Sequence, residues 1–259
     1  MKQKTFYYSD ELRDDFGECV KSRHPLPKNY VYASKNPFFK MFSFFIYRII
    51  VRPIAWLYVK MRFCQRFVGK KAIKGVKGGY FLFGNHTTFV GDAFVPNLLT
   101  VRRRNYIITG EAAASLTAIL PLMKALGNIP MSSDRVRQVE LLRCVKKRIR
   151  ERSGVTVYPE AHIWPYYTGI RPFVADSFLF PVLCNAPAFA MTTCFQRKRL
   201  GRSPRIVTCI DGPFYPDETL PREARVQALR DEVYAAMCRR AAEYSTYSYH
   251  NYVRKDDTE

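Results

Sequence analysis

The stretch Tyr80-Phe81-Leu82-Phe83-Gly84-Asn85-His86-Thr87-Thr88-Phe89-Val90-Gly91-Asp92 decides how this chain is read. Its first four residues form a short apolar run that predicts a buried strand, and Gly84 predicts a sharp turn out of it. A histidine just past a strand end, with a carboxylate a few residues on, can make a general base. The imidazole takes a proton near neutral pH, while the carboxylate fixes its tautomer and stabilises the imidazolium that forms. The same residues also suit a polar loop that merely caps the next helix. His86 and Asp92 are therefore a candidate catalytic couple whose surroundings must decide.

From residue 78 onward, short apolar runs alternate with helical patterns. Strands are expected at Gly79 to Phe83, Asn105 to Thr109, Gly127 to Met131, Val155 to Tyr158, Phe180 to Leu183, Ala188 to Cys194 and Ile206 to Ile210. Helices are expected from near Phe89, over Glu111 to Leu126 with a bend or break at Pro121, from Ser133-Asp134 to about Arg152, and over Thr219 to Tyr244. This alternation implies an α/β fold: a largely parallel sheet flanked by helices. Ligands in such sheets sit beyond the carboxyl ends of the strands. Two polar clusters should meet there, Asn85-His86-x5-Asp92 and Tyr158-Pro159-Glu160-Ala161-His162. A strand that ends in Pro and Glu is not a packing device, so Glu160 is expected to face the site. Gly127 to Arg135 brings a basic residue after a third strand.

The chain's 259 residues can bury one substantial core, with one domain and an appendage as the natural count. A net charge of +20 predicts attraction to polyanions, whether nucleic acid, an anionic membrane or a polyphosphate-bearing cofactor. The cysteines (Cys19, Cys64, Cys144, Cys184, Cys194, Cys209 and Cys238) are scattered and form no Cys-x-x-Cys pair, which predicts a reducing cytosolic setting and no zinc site. Residues 1–36 are polar, lack the apolar core of a signal peptide, and are expected to form a loosely ordered arm. Residues 37–77 read as apolar and basic interfacial helices, and residues 78–259 as the α/β domain.

The apolar run that starts at Pro37 is long enough to suggest a membrane. Lys40, Arg48, Arg52 and Lys60 interrupt it, however, and Pro53 is expected to divide it. A central arginine costs about 2.5–3.5 kcal/mol in a spanning helix, so two of them disfavour spanning. At about 100° per residue, Lys40, Arg48 and Arg52 fall within an arc of roughly 120° and leave a broad aromatic and aliphatic face. That is the layout of a helix lying in the membrane interface, with Trp56 at headgroup depth. The other possibility is a helix that packs this face on the domain core. The basic flank Arg62, Arg66, Lys70, Lys71, Lys74 and Lys77 favours an anionic leaflet, at about 1 kcal/mol per charge.

The order of blocks is more specific than any one of them. An Asn-His-x5-Asp block, then Gly127-x-Ile129-Pro130 leading to Arg135, then Pro159-Glu160 after a strand, then an apolar run beginning Pro181-Val182, resembles the phospholipid/glycerol acyltransferase family. The resemblance covers about residues 78–210, and lysophosphatidic acid acyltransferase is the family's commonest activity. It implies that His86 deprotonates a glycerol hydroxyl, which attacks the thioester of an acyl-CoA or acyl-carrier protein. Asp92 would orient His86, and Asn85 would join the substrate-binding set. Arg135 would bind the acceptor's phosphate through a bidentate guanidinium. Glu160 would help position the glycerol backbone or nearby basic groups. No metal or tightly held cofactor is implied, the acyl carrier being a co-substrate. The implied partners are a lyso-phospholipid acceptor, the acyl carrier and an anionic membrane surface, with the protein monotopic or peripheral on the cytoplasmic face.

This chain departs from the family pattern in three places. The family's His-x4-Asp is His86-x5-Asp92 here, which in one continuous helix would open the pair from about 40° to about 140°; a bulge at Gly91 or a later helix start would restore it. The Phe-Pro-Glu-Gly-Thr-Arg block becomes Tyr158-Pro159-Glu160-Ala161-His162-Ile163, and either His162 or Arg171 would replace the lost polar group. Arg135 lies far enough from Gly127 that Arg137 is a rival for the phosphate. An altered relative acting on another lyso-lipid, or serving as a membrane scaffold, is the alternative function. A nucleic-acid-binding protein would explain the charge, but no zinc-finger spacing, RNP-like block or helix-turn-helix pattern occurs. The absence of Gly-x-Ser-x-Gly argues against a serine-elbow hydrolase, and the absence of Gly-x4-Gly-Lys-Ser/Thr against a P-loop nucleotidase.

Overall fold

Tyr80–Gly84 is buried at all five positions, and its side chains divide between two cores: Phe81 and Phe83 on one face, Tyr80 and Leu82 on the other. A strand buried on both faces belongs at the centre of a sheet covered by helices on each side. The computed structural model describes residues 3–17, 26–27, 29–111, 119–201 and 203–255 and has this architecture. Its elements in chain order are β1 (Thr5–Tyr8), α1 (Pro37–Phe45), α2 (Arg52–Phe63), β2 (Arg66–Val68), α3 (Lys71–Gly75), β3 (Tyr80–Gly84), α4 (Phe89–Leu98), β4 (Asn105–Thr109), α5 (Leu120–Leu126), β5 (Asn128–Pro130), α6 (Arg135–Arg150), β6 (Gly154–Val157), α7 (Leu179–Cys184), β7 (Ala188–Gln196), β8 (Arg205–Phe214), α8 (Arg222–Tyr244) and β9 (Asn251–Arg254).

The main sheet runs β2-β8-β7-β3-β6-β4-β5. From β7 through β5 every pairing is parallel, and β8 joins β7 antiparallel. One core lies under α6, α7 and α8 and includes Val145, Val182 and Val233; the other lies under α2, α3 and α4 and includes Val59, Ile73 and Val95. The carboxyl ends of β3, β6, β4 and β5 are neighbours, with Phe83 opposite Val157 and Thr109 opposite Pro130. That edge carries the candidate site.

Several expectations are corrected. Phe180 to Leu183 is helix rather than strand: the helical turn Asp176–Phe178 leads into α7, and Pro181 sits in its first turn, where its missing N–H is harmless. Gly84 keeps a negative φ and makes no turn. A Cβ there would stand 2.7 Å from the Tyr158 ring, so the position requires close approach instead. Of the helix expected over Glu111 to Leu126, α5 is seen at its end, while 112–118 lie outside the described residues. The arm expected to be loosely ordered contributes β1, paired in parallel with β9, and packs Phe16 against Trp164. Residues 18–25 lie outside the described part. Strand β2, also from before residue 78, closes one edge of the main sheet.

Residues 37–63 form one continuous helix of 27 residues, long and apolar enough to cross a membrane. The side chain of Asn36 caps it by accepting the Phe38 and Phe39 amides. Pro53 does not divide it. A π-helical turn over Ile46–Val51 precedes the proline and accommodates the ring and missing N–H that would strain a regular helix. The helix is also turned polar side inward along its first half. Ser43 donates to the Ala125 carbonyl, Tyr47 to Asn97, and Arg48 and Arg52 to the Val101 carbonyl. Its large apolar side chains point out: Phe38 is 75% exposed, Met41 65% and Met61 72%, with Phe42, Phe44, Phe45, Ile49, Ile54, Trp56 and Leu57 between them. This outer face is therefore not packed on the domain core; Ala55 and Val59, on the inner side of α2, are.

Candidate active site

Helix α4 begins at Phe89, after His86 has already left β3 on extended chain. The longer His-to-Asp spacing is thus absorbed before the helix, with no bulge at Gly91. Asp92 stands one turn into α4, and helical side chains lean toward the N-terminus. Its carboxylate therefore reaches back over the loop, where Oδ2 lies 2.7 Å from His86 Nδ1. Oδ2 also accepts the Thr87 and Thr88 amides, each at 3.0 Å, and Oδ1 accepts the Thr88 hydroxyl at 2.7 Å. Gly91 matters here because a Cβ at that position would strike Thr88 Oγ1. With Nδ1–H directed at the carboxylate, the remaining nitrogen, Nε2, carries the lone pair of a base.

Tyr158, which nothing in the sequence singled out beyond its block, completes this couple. Its ring stacks on the His86 imidazole, with centroids 4.9 Å apart and planes 25° from parallel. Its hydroxyl donates to the Asp92 backbone carbonyl at 2.6 Å. That carbonyl is available because Pro96, four residues on, has no N–H to give it. Burial, and then the nearby Asp92 charge, push the phenol well above its ordinary value, so Tyr158 stays neutral and a donor. A helical proline four residues after a candidate acid, with a tyrosine at the neighbouring strand end, is the signal that could have found it.

The remaining expected site residues divide into two groups. Asn85, Glu160 and Arg171 are buried around the loop that carries His86. Asn85 bonds the Thr193 backbone at both ends, donating to its carbonyl at 3.0 Å and accepting its amide at 2.7 Å. Glu160 does not face a cavity: its Oε2 accepts the His86 amide at 3.0 Å, and Oε1 accepts the Arg171 amide at 3.1 Å. The Arg171 guanidinium lies 3.3 Å from Glu160 Oε2 and also donates to the His162 carbonyl. Burial raises the Glu160 carboxyl, while Arg171 and the His86 and Arg171 amides act in the opposite direction. Of the two residues expected to replace the missing basic group, Arg171 is the one paired with Glu160. His162 instead lies 3.7 Å from Asp15 of the N-terminal arm. Arg135 is exposed at the first position of α6. Its rival Arg137 is engaged with the Tyr30 carbonyl and Glu140, each at 2.8 Å, and with the Pro27 carbonyl.

The Trp164 amide donates to the His86 carbonyl at 3.1 Å, and the Tyr166 amide to the Thr87 carbonyl at 2.9 Å. Each main-chain group next to the histidine is thereby held, while its side chain remains 25% exposed. It opens on a cavity of about 390 Å³ that runs between α2, α4, β4 and α5. The walls are largely apolar, with Val51, Phe94, Ile107, Met123 and Leu126, and Arg52, Asn97 and Asn128 are among the polar groups. A largely apolar pocket with a histidine base in its wall fits a ligand with an apolar chain and one reacting polar end. Among the described residues, no three His, Cys, Asp or Glu side chains gather in a way that would hold a metal.

The fold is α/β, a largely parallel sheet flanked by helices, with a paired histidine and carboxylate on the wall of a largely apolar cavity. The chain is similar in structure to the 1-acyl-sn-glycerophosphate (LPA) acyltransferase PlsC from Thermotoga maritima. The two share 16% sequence identity at a TM-score of 0.54, over 81% of this chain and 89% of that one. No protein-family model and no curated protein matches the sequence.

Proposed function

We propose that this protein transfers an acyl group from a thioester donor, acyl-CoA or an acyl-carrier protein, to the free hydroxyl of a lyso-glycerophospholipid. The acceptor is 1-acylglycerol-3-phosphate and the product phosphatidic acid. The observation that carries the reading is the His86–Asp92 pair at 2.7 Å, placed where His86 lines the apolar cavity. His86 Nε2 takes the acceptor's hydroxyl proton as its oxygen attacks the thioester carbonyl. Asp92 stabilises the resulting imidazolium. The tetrahedral adduct then collapses, the carbon–sulfur bond breaks, and the departing thiolate recovers the proton from His86. Asn85, Glu160 and Arg171 act as positioning residues for the histidine loop. Arg135, exposed beyond β5, receives the acceptor's phosphate. The outward apolar face of residues 37–63 seats the protein in the cytoplasmic leaflet, with the helix in the plane of the interface, because Arg48 and Arg52 bond to the domain's 101–102 loop.

The test is transfer of a labelled acyl group from acyl-CoA to 1-acylglycerol-3-phosphate in detergent micelles, wild type beside His86→Ala. Label is expected in phosphatidic acid with wild type, and a loss of about 10²–10⁴ in turnover with the variant at an unchanged melting temperature. Near-normal turnover by His86→Ala would reject the base. No transfer by wild type, with acyl-carrier protein and other lyso-lipids also inactive, would reject acyl transfer.

A further inference from the structure

A second cavity, of about 250 Å³, lies on the other side of Asn128, which borders both. Its wall brings together Lys40 of α1, Arg104, Lys124 of α5 and Arg148 of α6, with Glu151 as its carboxylate. Glu151 is already taken up by Arg148 at 2.8 Å. Arg104 and Arg148 lie against the same ring, 4.9 Å and 4.5 Å from the Tyr106 centroid. Such like charges repel in a medium of reduced dielectric and need a counter-charge. Burial and the neighbouring Arg148 hold both Arg104 and Lys124 below their ordinary values. One carboxylate against four cations leaves this wall with a formal excess of positive charge.

We infer that this cavity binds a phosphoryl anion, at a site separate from the candidate catalytic histidine. Two guanidinium groups and two ammonium groups on one wall suit the several acceptor oxygens and multiple charge of a phosphate better than they suit a single carboxylate. The setting suits a lipid as well as a soluble phosphate. The cavity lies under α1, whose opposite side carries the exposed Phe38, Met41 and Phe42, so a headgroup would meet it at interfacial depth. Inorganic phosphate and a phosphomonoester lipid share the recognised chemistry, and the test separates them.

The experiment uses the full chain and two probes. One is inorganic phosphate, titrated by calorimetry against chloride at equal ionic strength. The other is phosphatidylcholine vesicles with and without phosphatidic acid. Lys40→Gln combined with Lys124→Gln keeps both side-chain stems, and is expected to weaken phosphate binding or the phosphatidic-acid preference about tenfold or more. The charge-matched control Arg222→Ala with Arg230→Ala, both on α8, is expected to leave binding unchanged. Glu151→Gln is expected to tighten binding severalfold, an outcome that a damaged fold would not give. A response to phosphate itself identifies a soluble phosphoryl group as sufficient; a response only to the vesicles identifies the headgroup. Lack of response to either probe, or equal weakening by the cavity pair and the α8 pair, would overturn the inference.

Discussion

At the residue scale, the candidate site is a histidine whose every adjoining main-chain group is held. Glu160 takes its amide, Trp164 its carbonyl and Asp92 its Nδ1, which leaves one nitrogen for chemistry. Glu160 and Arg171 belong to this support: buried together, they fix the loop through hydrogen bonds to backbone, and removal of either would strand the other's charge. Tyr158 joins the base to the rest of the structure by stacking on His86 and bonding the carbonyl that Pro96 leaves open. Tyr158→Phe keeps the stack and loses the hydrogen bond. It is expected to lower stability by about 1–3 kcal/mol, read by urea unfolding, because the Asp92 carbonyl is left unsatisfied. Acyl transfer is expected to stay within about tenfold of wild type. A loss as large as that of His86→Ala would give the phenol a direct part in the chemistry.

At the scale of the elements, the helix over residues 37–63 and the β1–β9 pair have opposite characters. The helix directs Ser43, Tyr47, Arg48 and Arg52 at the domain and most of its large apolar side chains outward, while Ala55, Val59 and Phe63 pack inward. Phe38→Asp with Met41→Asp places two charges on that outer face without touching its bonds to the 101–102 loop. It is expected to release the protein from anionic vesicles in a flotation assay while leaving the fold intact, and full retention would reject membrane seating by this face. The β1–β9 pair is anchored by His250, whose Nδ1 accepts the Lys4 amide at 3.0 Å. Burial, with Lys4 adding to it, holds this histidine below the usual 6.5. The folded state therefore keeps His250 neutral over a range in which the unfolded chain takes up a proton. The stabilisation is fully present above about pH 6.5 and is lost as the pH falls toward the lower folded value. Limited proteolysis of the first seventeen residues is expected to quicken over that interval, and His250→Phe should abolish the pH dependence.

At the scale of the whole molecule, the sheet brings four parallel strand ends to one edge, and the apolar helix roofs the cavity that opens from it. On the proposed function, the depth of this cavity would set the length of the acyl chain that is transferred. Leu126→Trp, which fills part of the volume, is expected to shift the preferred acyl donor toward shorter chains by competition assay while leaving the His86 dependence intact. An unchanged preference would place the acyl chain elsewhere.

Much of this was legible in the sequence, and the part that was not has a consistent cause. The periodicities of β3, β4, β6 and α6 report burial and backbone hydrogen bonding, which are local, and so the α/β class and the His86 and Glu160 clusters could be read directly. The Asp134 cap and the glycine, proline and charge punctuation placed most helix ends within a few residues. Periodicity could not show that Pro181 opens a helix, because a short apolar run reads alike in either state. Nor could it show which way polar side chains turn. Asn85, Glu160 and Arg171 were expected in the substrate-binding set, and in the structure Asn85 bonds the Thr193 backbone while Glu160 and Arg171 pair with each other and with main-chain groups. Arg103 and Arg104 likewise donate to the carbonyls of Val76, Gly78 and Ala125, which residue type alone does not show. The sequence alone determined which candidate groups the chain carries and beyond which strand ends they lie, since those follow from residue type and spacing. Only the tertiary structure decided which of these groups face a cavity, because burial and pairing depend on neighbours distant in the chain.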